Sequence, residues 1–421
     1  MELPQGWVNC SLSDVSEIIA GQSPESKYYN ENGDGLPFFQ GKTDFGHLYP
    51  TNRIYCTVPK KLAENGDILL SVRAPVGPTN LSRETVAIGR GIHAIRPLGD
   101  ILTSYVLYYF KQIEPVFSGT GTGTTFSAVT VDDVKNLKFP LSPLAEQQRI
   151  VKKIDALFSK LDKGVEMLQT IRQQVQTYRQ AVLKWAFAGY EFDLEPLLLH
   201  VDSIFDGPFG SNLKTSDYVD SGIRVVRLEN IKATYFFDDR KSFVTEEKYK
   251  LLQRNTVKFP DIVMSTFISK EVKACIIPKK INFAVNKADC VCIRTQSLLD
   301  SKFVMYYLST RNVYNGLFTQ IHGATRPRVN TTQIKKIPVP KASVEEKHKI
   351  VTFIESRLSV CDKLEALVDE NLAKADALRQ SILKKAFAGQ LVPQDLADEP
   401  AEKLLERIKA ERQAPPQHQN P

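Results

Sequence analysis

No run of apolar residues in this chain reaches the roughly 18 that a membrane-spanning helix needs. The start, Met1-Glu2-Leu3-Pro4-Gln5-Gly6-Trp7, has neither the basic nor the apolar region of a signal peptide. A cytoplasmic protein is expected. Cysteine is scarce, with six residues in 421 (Cys10, Cys56, Cys275, Cys290, Cys292, Cys361), and none has the paired spacing of a zinc site. Buried, reduced thiols are the expectation. The six histidines, His93, His200 and His322 among them, lack the spacing of a zinc hydrolase. Gly41-Lys42-Thr43 resembles the end of a phosphate-binding loop, but Leu36 stands where that loop needs its first glycine. The Ser118–Gly123 run of alternating glycine sits at no strand-to-helix turn of the dinucleotide type and reads as a flexible loop. Nor is there an Asn-Pro-Pro-Phe or Asp-Pro-Pro-Tyr tetrapeptide with which amino-methyltransferases hold a flipped base. These absences describe a binder rather than a catalyst, with no cofactor or metal of its own.

What remains is an ordinary soluble balance, 42% hydrophobic and 24% charged, long enough for two or three domains. A net charge of +7 suits a polyanionic partner, although modest excess charge also serves solubility. The most informative feature is a repeat. Tyr178 to Gly189 (YRQAVLKWAFAG) returns as Leu378 to Gly389 (LRQSILKKAFAG), 200 positions on, and Pro140, Glu146, Ile150, Ile154 and Asp162 return in register as Pro340, Glu346, Ile350, Ile354 and Asp362. That period is too long for a solenoid, whose units run about 20–50 residues. The repeated unit is therefore a domain plus a helix.

Between Ile150 and Leu183 apolar residues recur in steps of three and four, and they do so again between Ile350 and Ile382. Each series predicts a long helix with one apolar seam, free of proline and ending at an Ala-Gly pair (Gly189, Gly389) suited to a C-terminal cap. A seam this long finds nothing local to bury it, so the two helices are expected to pair as a coiled coil; two separate helices, each covering its own domain, are the alternative. The segments ahead of the helices diverge in sequence but share a plan. Leu36–Phe39 matches Ile223–Val226, Asp67–Ser71 matches Asp261–Ser265, and the helical Tyr105–Phe110 matches Phe303–Leu308. The expected fold is α+β: two similar α/β domains at 1–143 and 191–342, long helices at 144–190 and 343–392 pairing as an antiparallel, pseudo-two-fold coiled coil, and a tail at 393–421 with one short amphipathic helix from Glu399-Pro400 to about Arg412 followed by disorder.

One motif suggests an enzyme. Pro260-Asp261 followed by Glu271-Val272-Lys273 matches a Mg²⁺-dependent nuclease pattern, two carboxylates for the metal and a lysine for the attacking water. The pattern is short, and Asp261 aligns with Asp67 of the first copy, which has no Glu-X-Lys after it, so the aspartate reads as part of the fold.

Leu3-Pro4-Gln5-Gly6-Trp7, Gly66–Arg73, Pro143–Val151, the doubled Glu-x-x-x-Ile-Val…Arg-Gln-x-(Val/Ile)-Leu-Lys frame and Asp398-Glu399-Pro400-Ala401 together resemble the DNA-specificity subunits of type I restriction-modification enzymes. The second copy departs from the family at Ser343–His348. The resemblance implies two target recognition domains, each reading half of an interrupted double-stranded DNA sequence, with the paired helices as spacer and docking site for two methyltransferase subunits. Those partners carry S-adenosylmethionine and methylate adenine N6; two restriction subunits using ATP and Mg join further out. The chain itself is then non-catalytic. Thirty-four helical residues, Ile150 to Leu183, span about 50 Å, enough to hold two globules roughly one DNA turn apart. Loop positions able to reach bases or phosphates are Gln40, Lys42, Arg73 and Arg90 in the first domain, and Arg227, Asn230, Lys232, Lys270, Arg326, Arg328 and Asn330 in the second. Two competing readings stand beside this one: a self-contained nuclease at Asp261, Glu271 and Lys273, and a coiled-coil protein scaffold without DNA binding.

Overall fold

The computed structural model describes residues 3–117, 128–321 and 327–413. The glycine-threonine loop after Phe117, Arg326 and the last eight residues lie outside them. The chain divides into two compact units, Met1–Met167 with Asn371–Pro421, and Leu168–Glu370. Each unit takes one globule and part of both long helices.

In the first unit an antiparallel sheet runs in the order Ser16–Ala20, Ile92–Pro97, Ile68–Ser71, Thr79–Leu81. A smaller sheet pairs Leu36–Phe39 in parallel with Val86–Ile88. Val8–Ser11 pairs with Lys138–Leu141, and helix Thr103–Phe117 covers the larger sheet. The second unit repeats each piece. Its sheet runs Ser203–Phe205, Cys290–Arg294, Ile262–Ser265, Ala274–Ile276, its parallel pair is Ile223–Val226 with Ala284–Asn286, and Leu194–Pro196 pairs with Pro338–Pro340. Its covering helix is broken into Leu298–Leu308 and Arg311–Phe318, because Thr310 caps a new helix by accepting from the Val313 N–H. The central strands are apolar on both faces (Ile68, Leu69, Leu70; Ile262, Val263, Met264), as strands buried between layers require.

The long helices span Leu144–Ala188 and Val344–Phe387. Their seams are divided between two tasks. In the first unit Ile150, Ile154, Phe158, Ile382, Leu383 and Ala386 enter the globule's core; in the second Val182, Leu183, Ala186, Ile350, Ile354 and Leu358 do the same. The seam therefore does find a local partner at its ends, which the periodicity alone did not indicate. Between those ends the helices meet antiparallel. Arg379 pairs with Asp162 in the first unit, and Arg179 with Asp362 and Glu365 in the second. Positions 162 and 362, like 179 and 379, are repeat equivalents, so one ion pair is made twice with the two helices exchanging roles. Helix Ala401–Gln413 joins the first unit's core through Ala401, Leu404, Leu405 and Ile408. Among the described residues no helix is long and apolar enough to cross a membrane.

Candidate functional site

The two carboxylates that end the loop before each central strand are structural. Asp261 is buried and grips Arg294, which donates from Nε at 2.8 Å and Nη2 at 2.6 Å, while the Lys258 N–H donates to its other side at 3.0 Å. Asp67 repeats this with Arg96 at 2.9 and 2.8 Å and the Glu64 N–H at 2.7 Å. The bidentate arginine and the backbone N–H together take three of the roughly four acceptor sites of each carboxylate, as a structural role requires. Glu271 and Lys273 instead line a groove of about 1080 Å³ facing the helices. Among the described residues no three His, Cys, Asp or Glu side chains converge as metal ligands. The nuclease constellation is therefore not assembled. Cys275, Cys290 and Cys292 are buried free thiols, and burial pushes the Cys275 thiol up to about 12.

The divergent residues collect at one end of each globule, on an identical backbone framework. In the first unit the Val72 N–H donates to Gly91 O at 3.0 Å, the Val129 N–H to Val72 O at 3.1 Å, and the Gly89 N–H to Phe39 O at 2.8 Å. In the second the Thr266 N–H donates to Asp289 O, the Val329 N–H to Thr266 O and the Lys287 N–H to Val226 O, all at 2.9 Å. The bridges Arg73 to Ala128 and Phe267 to Arg328 complete the match. Residue by residue, Gln40 corresponds to Arg227, Gly89 to Lys287, Arg73 to Phe267, Gly91 to Asp289 and Ala128 to Arg328. The frame is held constant while its tips change.

In the first unit this framework gathers Gln40, Arg73 and Arg90, all exposed. Glycine at 91 is required, since a Cβ there would stand 2.1 Å from Gln40 O. Lys42 turns away into a groove of about 310 Å³ with His47, Lys111 and Arg379. In the second unit Arg227 and Lys287 both lie over the Tyr218 ring, at 5.3 and 5.2 Å, and Arg328 lies 5.6 Å over Phe267 while pairing with Asp289. Asp289 also accepts from Thr266 Oγ1 at 3.2 Å, and its N–H donates to Asp206 at 3.1 Å. Burial raises the Asp206 carboxyl above its ordinary range. A hollow of about 290 Å³ opens here, lined by Asp206, Phe209, Thr266, Arg328 and Asn330. Lys232 and Lys270 lie elsewhere, in the groove beside the helices.

Asn230 is a correction. It is buried, accepts from the Arg227 N–H at 3.0 Å and donates to Phe237 O and Arg240 O at 2.9 and 2.8 Å, so its amide is spent on the turn. Asn330 caps the helix Thr331–Lys335, accepting from the Gln333 N–H at 2.9 Å. The sequence reading missed Lys287, Tyr218, Phe209 and Phe267; the aromatic-cation pairing joins residues far apart in the chain.

A family model described as the type I restriction modification DNA specificity domain matches residues 4–176. The chain is 36% identical over 191 residues to a type I restriction enzyme specificity subunit, MjaX, of Methanocaldococcus jannaschii, covering 45% of this chain and 44% of that relative's length. With the EcoBI specificity subunit of Escherichia coli it shares 25% identity over 98% of this chain and 94% of the relative. A crystal structure of the HsdS subunit from Thermoanaerobacter tengcongensis is 46% identical over 38% of this chain and 39% of that one, with a TM-score of 0.36.

Proposed function

We propose that the chain is a DNA specificity subunit of a type I restriction-modification enzyme, the family whose domain model matches residues 4–176, and that each globule reads one half of an interrupted, asymmetric DNA target. The observation that carries this reading is the doubled loop end, one backbone frame with different side chains at its tips. A common frame lets each globule present its tips to its own half-site in the same way; different tips select different bases. In the second globule Arg227, Lys287 and Arg328 supply cations between aromatic rings, and an arginine held by a carboxylate presents its fork to guanine O6 and N7. Arg326, outside the described residues, stands two positions before Arg328 in the sequence and is proposed beside it. In the first globule Gln40 suits adenine, and Arg73 and Arg90 suit guanine or phosphate. Lys42, Lys232 and Lys270, on the groove side, suit phosphate, and Asn330 borders the hollow while capping its helix.

The helices set the gap between half-sites. They also dock two methyltransferase subunits, to which the exposed Ile171, Tyr178 and Trp185 offer apolar contact. Those subunits bring S-adenosylmethionine and methylate adenine N6, and two restriction subunits with ATP and Mg complete the assembly, all in the cytoplasm. A scaffold that only joins proteins would have no use for the cation-aromatic tips. The test is to co-express the chain with its methyltransferase subunit and map N6-methyladenine across the host DNA. One bipartite motif with a fixed gap is expected; methylation that follows no motif dependent on this chain overturns the reading.

A further inference from the structure

In the first unit the tail helix Ala401–Gln413 lies across the start of the globule. The Ala401 N–H donates to Gly6 O at 2.9 Å, Arg412 donates to Ser13 O at 2.7 Å, and Asp398, just ahead of the helix, accepts from Arg149 at 2.5 Å. Ile408 approaches Gly99 so closely that a Cβ there would stand 3.0 Å from Ile408 Cγ1. The footprint therefore runs from Arg149 and Gly6 to Gly99 and Ser13.

The second unit has an equivalent of this face. The Leu12 N–H donates to Leu137 O at 2.9 Å and the Leu197 N–H to Ile337 O at 2.8 Å, which sets Ser13 and Asp14 against Leu198 and Leu199. The matched Arg96 and Arg294 pairs set Gly99 and Asp100 against Ser297 and Leu298. The 200-residue register sets Leu144 and Arg149 against Val344 and Lys349. Three polar positions beside the tail helix have thus become leucine. All three are exposed, Leu199 by 70%, and Val344 is 60% exposed where Leu144 packs on the core. The Lys347 to Asp300 ion pair at 2.7 Å ties the start of the long helix to the start of Leu298–Leu308, and His200, next to Leu199, feels the charge of both. The leucines consequently border one surface rather than scattered points. A sheltered face on one unit is an apolar, open face on the other.

We infer that this face of the second unit is the docking site for an amphipathic helix of the methyltransferase subunit, one with a leucine or isoleucine stripe and a carboxylate just ahead of its first turn. The occupied equivalent dictates that chemistry. Lys349, exposed and without an ion pair among the described residues, stands where Arg149 takes Asp398 and offers the same charge to an incoming acid. A second copy of this chain is a poor occupant, because its own tail helix is already engaged by Gly6, Ser13 and Arg149. The identity of the partner rests on the function proposed above; the face itself rests on the comparison of the units.

The test uses the full chain assembled with methyltransferase subunit, its stoichiometry read by native mass spectrometry and its affinity by titration calorimetry. The wild type should bind two subunits. Leu199→Asp with Leu298→Asp should weaken one of the two at least tenfold and leave a one-to-one complex, and Lys349→Glu should weaken the same subunit several-fold. Leu396→Asp, an exposed leucine outside the face, should change neither. Should the double variant fail to fold, as judged by its melting curve, Lys349→Glu replaces one exposed charge and carries the test alone. Two subunits bound with unchanged affinity in these variants overturn the inference. So does a wild type that self-associates and becomes monomeric on Leu199→Asp, which would make a second copy the occupant. A wild type that binds no methyltransferase subunit at all removes the proposed function, and this inference with it.

Discussion

Removing the Asp261 carboxylate leaves Arg294 facing a desolvated strand end, and Asp67 does the same for Arg96. Asp261→Ala should cost about 1.5–3 kcal/mol, the range for charged hydrogen bonds, less than for a fully buried pair because Arg294 keeps some solvent contact. A thermal melt checks the cost, and a DNA-nicking assay should find no cleavage by the wild type to lose. Arg328→Ala should weaken target binding by about 1–3 kcal/mol, or about 5- to 150-fold, and relax one base position in one half-site. Arg328→Lys should not restore that discrimination, since it lacks the planar fork; competition binding with single-base variants at fixed salt measures both. Asn230→Ala should lower stability without altering base preference. The sequence pointed to Arg73, Arg90, Arg227 and Arg328 as loop arginines, because a charged residue near glycine or proline is visible there. It did not separate Asn230 from them, because burial of an asparagine under Phe237 and Arg240 depends on how its turn folds back. Tyr218 under Arg227 and Lys287 was hidden for the same reason.

At the scale of elements the long helices were legible, because a three-four apolar spacing over more than thirty residues has no other regular solution. What the spacing could not reveal is that each seam end enters a globule's core, since the same residues would serve a free-standing coiled coil equally well. The break at Ser309-Thr310 was also hidden. The sequence reading ended this helix at Leu308 and did not foresee a second one, which the Thr310 hydroxyl caps at Arg311–Phe318. Inserting seven residues into both long helices, two helical turns that preserve the facing surfaces, adds about 10 Å at 1.5 Å per residue. At 3.4 Å per base pair the gap in the DNA target should grow by about three base pairs with both half-sites unchanged. Methylation mapping of the inserted variant reads this directly, and a gap that stays fixed would remove the helices as its determinant.

The whole molecule is one plan used twice in a single chain, with the tail helix distinguishing the halves. Truncation after residue 397 should strip Leu404, Leu405 and Ile408 from the first unit's core. At about 1.5–3 kcal/mol per buried side chain, that unit should melt well before the other in a calorimetric scan. The repeat was the strongest signal in the sequence because it required no structural knowledge to detect; the equivalence of the loop ends emerged only from backbone hydrogen bonds, since almost no side chain there is shared. The central claim is that equivalent frames with different tips read different half-sites. Its most direct test is the methylation motif directed by a chain whose residues 192–341 are replaced by a second copy of residues 7–141. Because the repeated helix pairs antiparallel, the target should become an inverted repeat of the first half-site across the original gap; a motif still asymmetric, or unchanged from the wild type, would contradict the account.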